Sequence, residues 1–230
     1  MVKEVSFSLP PEASADEKQI KMAAALRAGI DPAQVTGFRI VRKSIDARQR
    51  AIKVSFTIEI SEGEDDHVRE IEPLRFRDVS KAEEVIITGA GPAGLFAALR
   101  LCELGLRPVI LERGRDVSER KKDIARISRE HVVDSDSNYC FGEGGAGAFS
   151  DGKLYTRSQK RGNNLRVLEL FRHHGAPENI LYESHPHIGS DKLPSIISSI
   201  RKSITDAGGL ILFNKRVTDI ICDGTGIKGV

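Results

Sequence analysis

Apolar and polar residues alternate at Val5, Phe7 and Leu9, the period of a half-buried strand, and Pro10-Pro11 ends the run. Ser14 with Glu17 three residues on predicts a capping box, after which Ile20, Ala23, Ala24 and Ala28 recur at helical spacing until Gly29 stops them. Asp31-Pro32 opens a short second helical turn, and residues 38–45 and 52–60 read as two strands joined by a polar stretch, 46–50. Residues 1–60 are therefore expected to fold as a small α+β unit of ferredoxin-like type. Residues 61–82 are polar, acidic at first, and without a sustained apolar period, the pattern of a linker.

The pattern changes at Glu84. Val85-Ile86-Ile87 is a β-branched run, 89–94 a glycine turn, 95–104 apolar at helical spacing and 108–111 a second apolar strand, which together make a βαβ unit. A polar helix (117–128), a glycine-dense loop (141–152), two helices (165–174 and 193–207) and a strand (210–216) follow. Residues 218–222 and 226–230 read as successive strands of a meander. The expected organisation is a small domain at 1–60, a linker at 61–82 and an α/β Rossmann-like domain at 83–230. The strand launched by Asp223-Gly224-Thr225-Gly226 runs only to Val230, so this domain is expected to be incomplete, its sheet edge left open.

Composition narrows the functional classes. Among 230 residues, 35 Lys and Arg face 33 Asp and Glu, so no global field recruits nucleic acid or an anionic membrane. The basic run Arg39, Arg42, Lys43, Arg48, Arg50 and Lys53 alternates with apolar residues and lacks interleaved aromatics, the mark of a solvated sheet face; nucleic acid is not an expected partner. No apolar run approaches the roughly 20 residues of a membrane span, and the N-terminus has no secretory signal pattern, so a cytoplasmic location is expected. Cys102, Cys140 and Cys222 form no CxxC and are expected as free thiols, with Cys140 buried and inert. His185-Pro186-His187 with Asp191 makes poor tetrahedral geometry, and no metal site is expected.

The chemistry concentrates in VIITGAGPAGLFAALRLCELGLRPVILERG, residues 85–114. Gly89 suits the tight strand-to-helix turn, Gly91 lets the backbone approach a diphosphate, and Gly94 lets the helix pack on the sheet. Ala98 and Gly105 are expected to keep that helix close. The helix N-terminus, opening at Pro92 and Ala93, aims N–H groups at the anion. Glu112, at the end of the second strand, is placed to accept both ribose hydroxyls and disfavours a 2′-phosphate.

With Gly89, Gly91, Pro92, Gly94, Ala98, Gly105 and Glu112-Arg113 in place, the segment resembles the FAD-binding fingerprint of two-dinucleotide flavoproteins. A second constellation, FGEGGAGAFSDGKLYTR, begins at Phe141; with KSIDAR (43–48) and SHPHIGSDKL (184–193) it resembles the uncharacterised FAD-dependent dehydrogenases, proteins roughly twice as long with a small N-terminal domain. The resemblance implies an FAD site in which Gly144, Gly145, Ala146 and Gly147, with Lys153 and Leu154, lie beside the flavin. It also implies a dehydrogenase acting on an unidentified small molecule, with NAD(P)H as a candidate electron donor. No catalytic acid or base is assignable. The reading is thus an FAD-dependent oxidoreductase in truncated form, holding the ADP portion through GAGPAG and Glu112. The alternative is a non-catalytic nucleotide-binding or regulatory module.

Overall fold

The first strand, β1 (Val2–Leu9), lies beside β3 (Lys53–Glu62), which pairs on its other side with β2 (Val35–Asp46); both ladders are antiparallel. The computed structural model describes residues 2–63, 74–156, 162–189 and 191–230. Residues 64–73 of the expected linker, and with them most of the acidic run, lie outside the described residues, as do Arg157 and Ser190 of the long motifs. The register sets Phe7 opposite Phe56 and Val5 opposite Ile58, so one face is apolar, and α1 (Glu17–Ala28) lays Ile20, Ala24 and Ala25 on it. Each large side chain fully buried there contributes about 1.5–3 kcal/mol. The opposite face is polar, with hydroxyl pairs Ser6–Thr57 at 3.2 Å and Ser8–Ser55 at 3.0 Å and an Arg39–Glu59 ion pair at 2.8 Å.

The expected capping box is not the device that starts α1. Asp16 is the N-cap, accepting a hydrogen bond from Lys18 N at 2.9 Å, while Ser14 donates to the Pro11 carbonyl within a preceding 3-10 turn. A ferredoxin-like domain follows a βαββαβ course; residues 2–63 show three strands and one α-helix, and that type is not established for them.

The chain divides into two compact units. Of the described residues, one unit gathers 2–63, 154–156, 162–169 and 177–187, and the other 74–153, 170–176, 188–189 and 191–230. The sequence places 154–169 and 177–187 in the second domain. Their attachment to the first unit has a backbone cause at KSIDAR: Lys43 N donates to the Tyr182 carbonyl at 2.8 Å and Ser184 N to the Lys43 carbonyl at 3.0 Å.

In the second unit β4 (Glu84–Thr88), β5 (Arg107–Leu111) and β6 (Leu210–Leu212) form a parallel sheet in that order, with α2 (Pro92–Leu104) connecting the first two. This arrangement is a Rossmann-like fragment. Between β5 and β6 come α3 (Val117–Glu130), α4 (Asn164–His173) and α5 (Leu193–Asp206), the last burying Ile196, Ile197, Ile200 and Ile204. A hairpin of β7 (Ile221–Asp223) and β8 (Gly226–Gly229) follows.

Three expectations change here. The strand expected over 210–216 stops at Leu212, because Asn214 takes a left-handed conformation (φ 56°) and turns the chain back. Gly105 is not a packing glycine: at φ 80° it is the left-handed C-cap of α2, its N–H bonded to the Leu101 and Cys102 carbonyls. Cys140 is exposed, whereas Cys102 is buried against Val79 and Ala207, where burial pushes its thiol pKa up.

Gly94 is the position of closest approach. A Cβ there would sit 2.0 Å from the Gly89 carbonyl oxygen, a backbone atom that cannot step aside. Gly94→Ala is expected to destabilise the second unit by about 3 kcal/mol, measured as a lowered calorimetric transition; an unchanged transition would show that α2 can retreat from the turn.

Candidate cofactor site

The strand β4 ends at Thr88, and Gly89 (φ 95°) turns the chain directly into α2. Gly91 is the N-cap of that helix, and no side chain caps it. Its own backbone is relaxed (φ −73°, ψ −179°), and a Cβ built on it meets no atom within 4 Å. The uncapped N-terminus with its orphan N–H groups therefore faces open space, the geometry that receives an anionic ligand.

That space is a cavity of about 430 Å³, within the range of small-ligand sites, at the carboxyl ends of β4 and β5. Among the residues expected from the sequence, Gly89, Gly91, Glu112, Arg113 and Gly145 line it. Pro92 and Gly94 support the turn from within α2; Ala93, Ala146 and Gly147 are not on the cavity wall. Gly144 is buried under it, with its N–H donating to the Ala90 carbonyl at 2.8 Å. Lys153 is exposed and paired with Asp151 at 2.9 Å, and Leu154 belongs to the other unit.

Glu112 is buried at 4% exposure, and its carboxylate is already engaged. Ala90 N donates to Oε2 at 2.7 Å, while Gly114 N and Gly142 N donate to Oε1 at 2.8 and 3.1 Å. A carboxylate has about four lone-pair sites, so one hydroxyl can still bond to it, not the two expected from the sequence. The three bonds tie the fingerprint turn, the end of β5 and the glycine loop to a single side chain.

Sequence reasoning missed several neighbours. Phe141 and Cys140 line the cavity because Asn138 Oδ1 accepts from both of their N–H groups and turns them outward. The Arg113 guanidinium lies 3.9 Å over the Phe141 ring and bonds Asp136 Oδ1 at 2.7 and 2.9 Å, which holds the Asp136 carboxyl below its usual pKa. Lys215 and Arg216 reach the rim because Lys215 N bonds the Glu112 carbonyl at 2.9 Å after the turn at Asn214. The rim is therefore basic, as a diphosphate requires.

Behind the wall, Glu143 is fully buried. Its Oε2 accepts from Val117 N at 2.8 Å and lies 3.3 Å from Arg201 Nη1, and its Oε1 has no partner. Burial pushes this carboxyl up to about 7, outweighing the Val117 N–H and the Arg201 charge, which pull it down; Asp116 and Glu112 add to the rise. A native carboxyl that binds its proton more tightly than the unfolded one stabilises fully at low pH and loses that contribution as pH rises from about 4.5 to about 7. The loss is on the order of 3 kcal/mol. Glu143→Gln, which mimics the neutral acid, is expected to be the more stable form above neutrality and to equal its parent near pH 4.5. Calorimetry across that range checks this; a difference constant with pH would contradict the assignment.

The remaining unexpected residue is Arg120, fully buried on α3. Its guanidinium donates to the carbonyls of Asn138, Tyr139, Glu143 and Gly145 at 2.7–2.9 Å, with a longer contact to Gly142. A signal existed in its spacing: Val117, Arg120 and Ile124 fall on one helical stripe, an unusual place for an arginine.

Comparison with known proteins bears on the same segment. Residues 82–129, which carry the fingerprint turn, α2, β5 and Glu112, match the family model described as FAD binding domain. The match supports FAD binding by this segment. Residues 1–61 match a different family, a domain of unknown function (DUF8436). The chain is also 34% identical over 234 residues to an "Uncharacterized protein" of Clostridium beijerinckii, an alignment covering 95% of this chain and 43% of that protein. The chain thus spans less than half the length of the curated relative it matches. Among the described residues, no helix is long and apolar enough to cross a membrane, and no group of three or more His, Cys, Asp or Glu could hold a metal.

Proposed function

We propose that the chain is the FAD-binding part of an oxidoreductase, a dehydrogenase of a small molecule, and that it holds the ADP half of FAD in this cavity. The observation that carries the reading is the open space in front of Gly91, bounded by an uncapped helix N-terminus and the buried Glu112 carboxylate. The diphosphate would lie against the N–H groups of α2, with Lys215 and Arg216 offsetting its charge, and one ribose hydroxyl would take the remaining lone-pair site of Glu112. When bound, FAD supplies hydride transfer at the flavin, and the protein supplies binding, orientation and electrostatics. The three cysteines are free, which fits a reducing compartment such as the cytoplasm.

The test is reconstitution of the purified chain with FAD, removal of free flavin by gel filtration, and anaerobic addition of a reduced nicotinamide. A retained flavin spectrum that bleaches supports an oxidoreductase using that donor. A colourless protein that still binds ADP indicates a nucleotide-binding module without redox chemistry.

A further inference from the structure

We infer that Arg120, which does not itself line the cavity but bonds residues that do, is the positioning residue that gives the FAD site its second wall; the inference rests on the cofactor reading above. Arg120 is absent from the residues that line the cavity and is fully buried below it. Its Nε, Nη1 and Nη2 all donate to carbonyls drawn from one short segment, 138–145. A planar fork that collects those carbonyls on one side forces the N–H groups of the same segment to look elsewhere. Three of them are found where that requires: Gly142 N on Glu112 Oε1 at 3.1 Å, Gly144 N on the Ala90 carbonyl at 2.8 Å and Glu143 N on the Arg115 carbonyl at 3.0 Å. Two of those acceptors belong to the fingerprint turn and its acidic partner. The arginine thus converts a segment rich in glycine, with the least intrinsic order of any composition, into a fixed surface against Gly91.

The packing agrees with a dedicated seat. Gly142 (φ 114°) leaves no room for a side chain, since a Cβ would lie 2.5 Å from Arg120 Cδ, and Gly145 approaches Pro92 Cδ and Gly91 Cα at 3.2 and 3.4 Å by the same measure. Phe149 closes the far side, its ring 5.2 Å from the guanidinium carbon. A lysine could keep the charge but could not fork to carbonyls spread over eight residues.

The test uses the full chain, its Arg120→Ala variant and FAD. Arg120→Ala is expected to weaken FAD binding by roughly 10- to 100-fold, the range found for partners that orient a binding group from behind it. Millimolar guanidinium ion should restore binding to this variant, because it refills the seat, while methylammonium should not. Without flavin, hydrogen exchange should accelerate at the amides of 142–145 and stay unchanged in β4, α2 and β5. Binding of FAD within about twofold of the parent, rescue by methylammonium as well as guanidinium, or loss of protection throughout β4, α2 and β5 would each overturn the assignment. Should the parent bind no FAD, the cofactor reading fails, and the exchange measurement alone still decides whether Arg120 fixes this segment.

Discussion

Glu112→Ala is expected to destabilise the second unit by about 3–9 kcal/mol, because three buried N–H donors lose a charged acceptor at about 1–3 kcal/mol apiece. The donors are Ala90, Gly114 and Gly142, at 2.7, 2.8 and 3.1 Å from the carboxylate. Against a typical domain stability of about 5–15 kcal/mol, that loss brings the unit close to unfolding. Calorimetry should show the transition of this unit falling sharply while the antiparallel unit around Phe56 and Ile58 melts as before. Glu112→Gln should fall between the two, since its amide nitrogen must face at least one N–H donor. A Glu112→Ala variant within about 1 kcal/mol of the parent would mean that these donors find water or other acceptors. The result matters for function as well: a side chain with one lone-pair site to spare cannot lose FAD binding without first losing the loop it holds.

Gly91→Val is expected to have the opposite signature. At φ −73° and with no atom within 4 Å of its Cβ, a valine is accommodated without backbone strain and without a clash. Its methyl groups would occupy the space in front of the α2 N-terminus instead. Melting should therefore be unchanged, and FAD binding weakened on the order of 100-fold or more, equivalent to about 2.7 kcal/mol. Loss of folding in this variant would show that the space is not open in solution.

The local part of this architecture was legible in the sequence because its causes are local. Gly89 and Gly94 are each demanded by local causes, the left-handed turn at Gly89 and the Gly89 carbonyl under Gly94, while Gly91 stands at the start of the helix that this turn launches. The α1 start was misassigned for a related reason, since Ser14 and Asp16 are both competent caps and the intervening 3-10 turn decides between them. The long-range part was not legible. Arg120 acts 18–25 residues away, Glu112 is bonded to Gly142 30 residues on, and Lys43 pairs with a segment near Tyr182; nothing in periodicity reports such closures. Asn214 shows the same limit at short range, because one left-handed residue cut an apolar strand that hydropathy would have continued.

The cavity beside the fingerprint turn is the proposed FAD site. Titration of the full chain and of Gly91→Val with FAD, followed by flavin fluorescence, tests it most directly; the chain contains no Trp, so the flavin signal stands alone. Saturable binding to the parent, competition by ADP, and binding weaker by about 100-fold or more in a Gly91→Val protein that melts like its parent are expected. Equal FAD binding by both proteins would contradict that assignment.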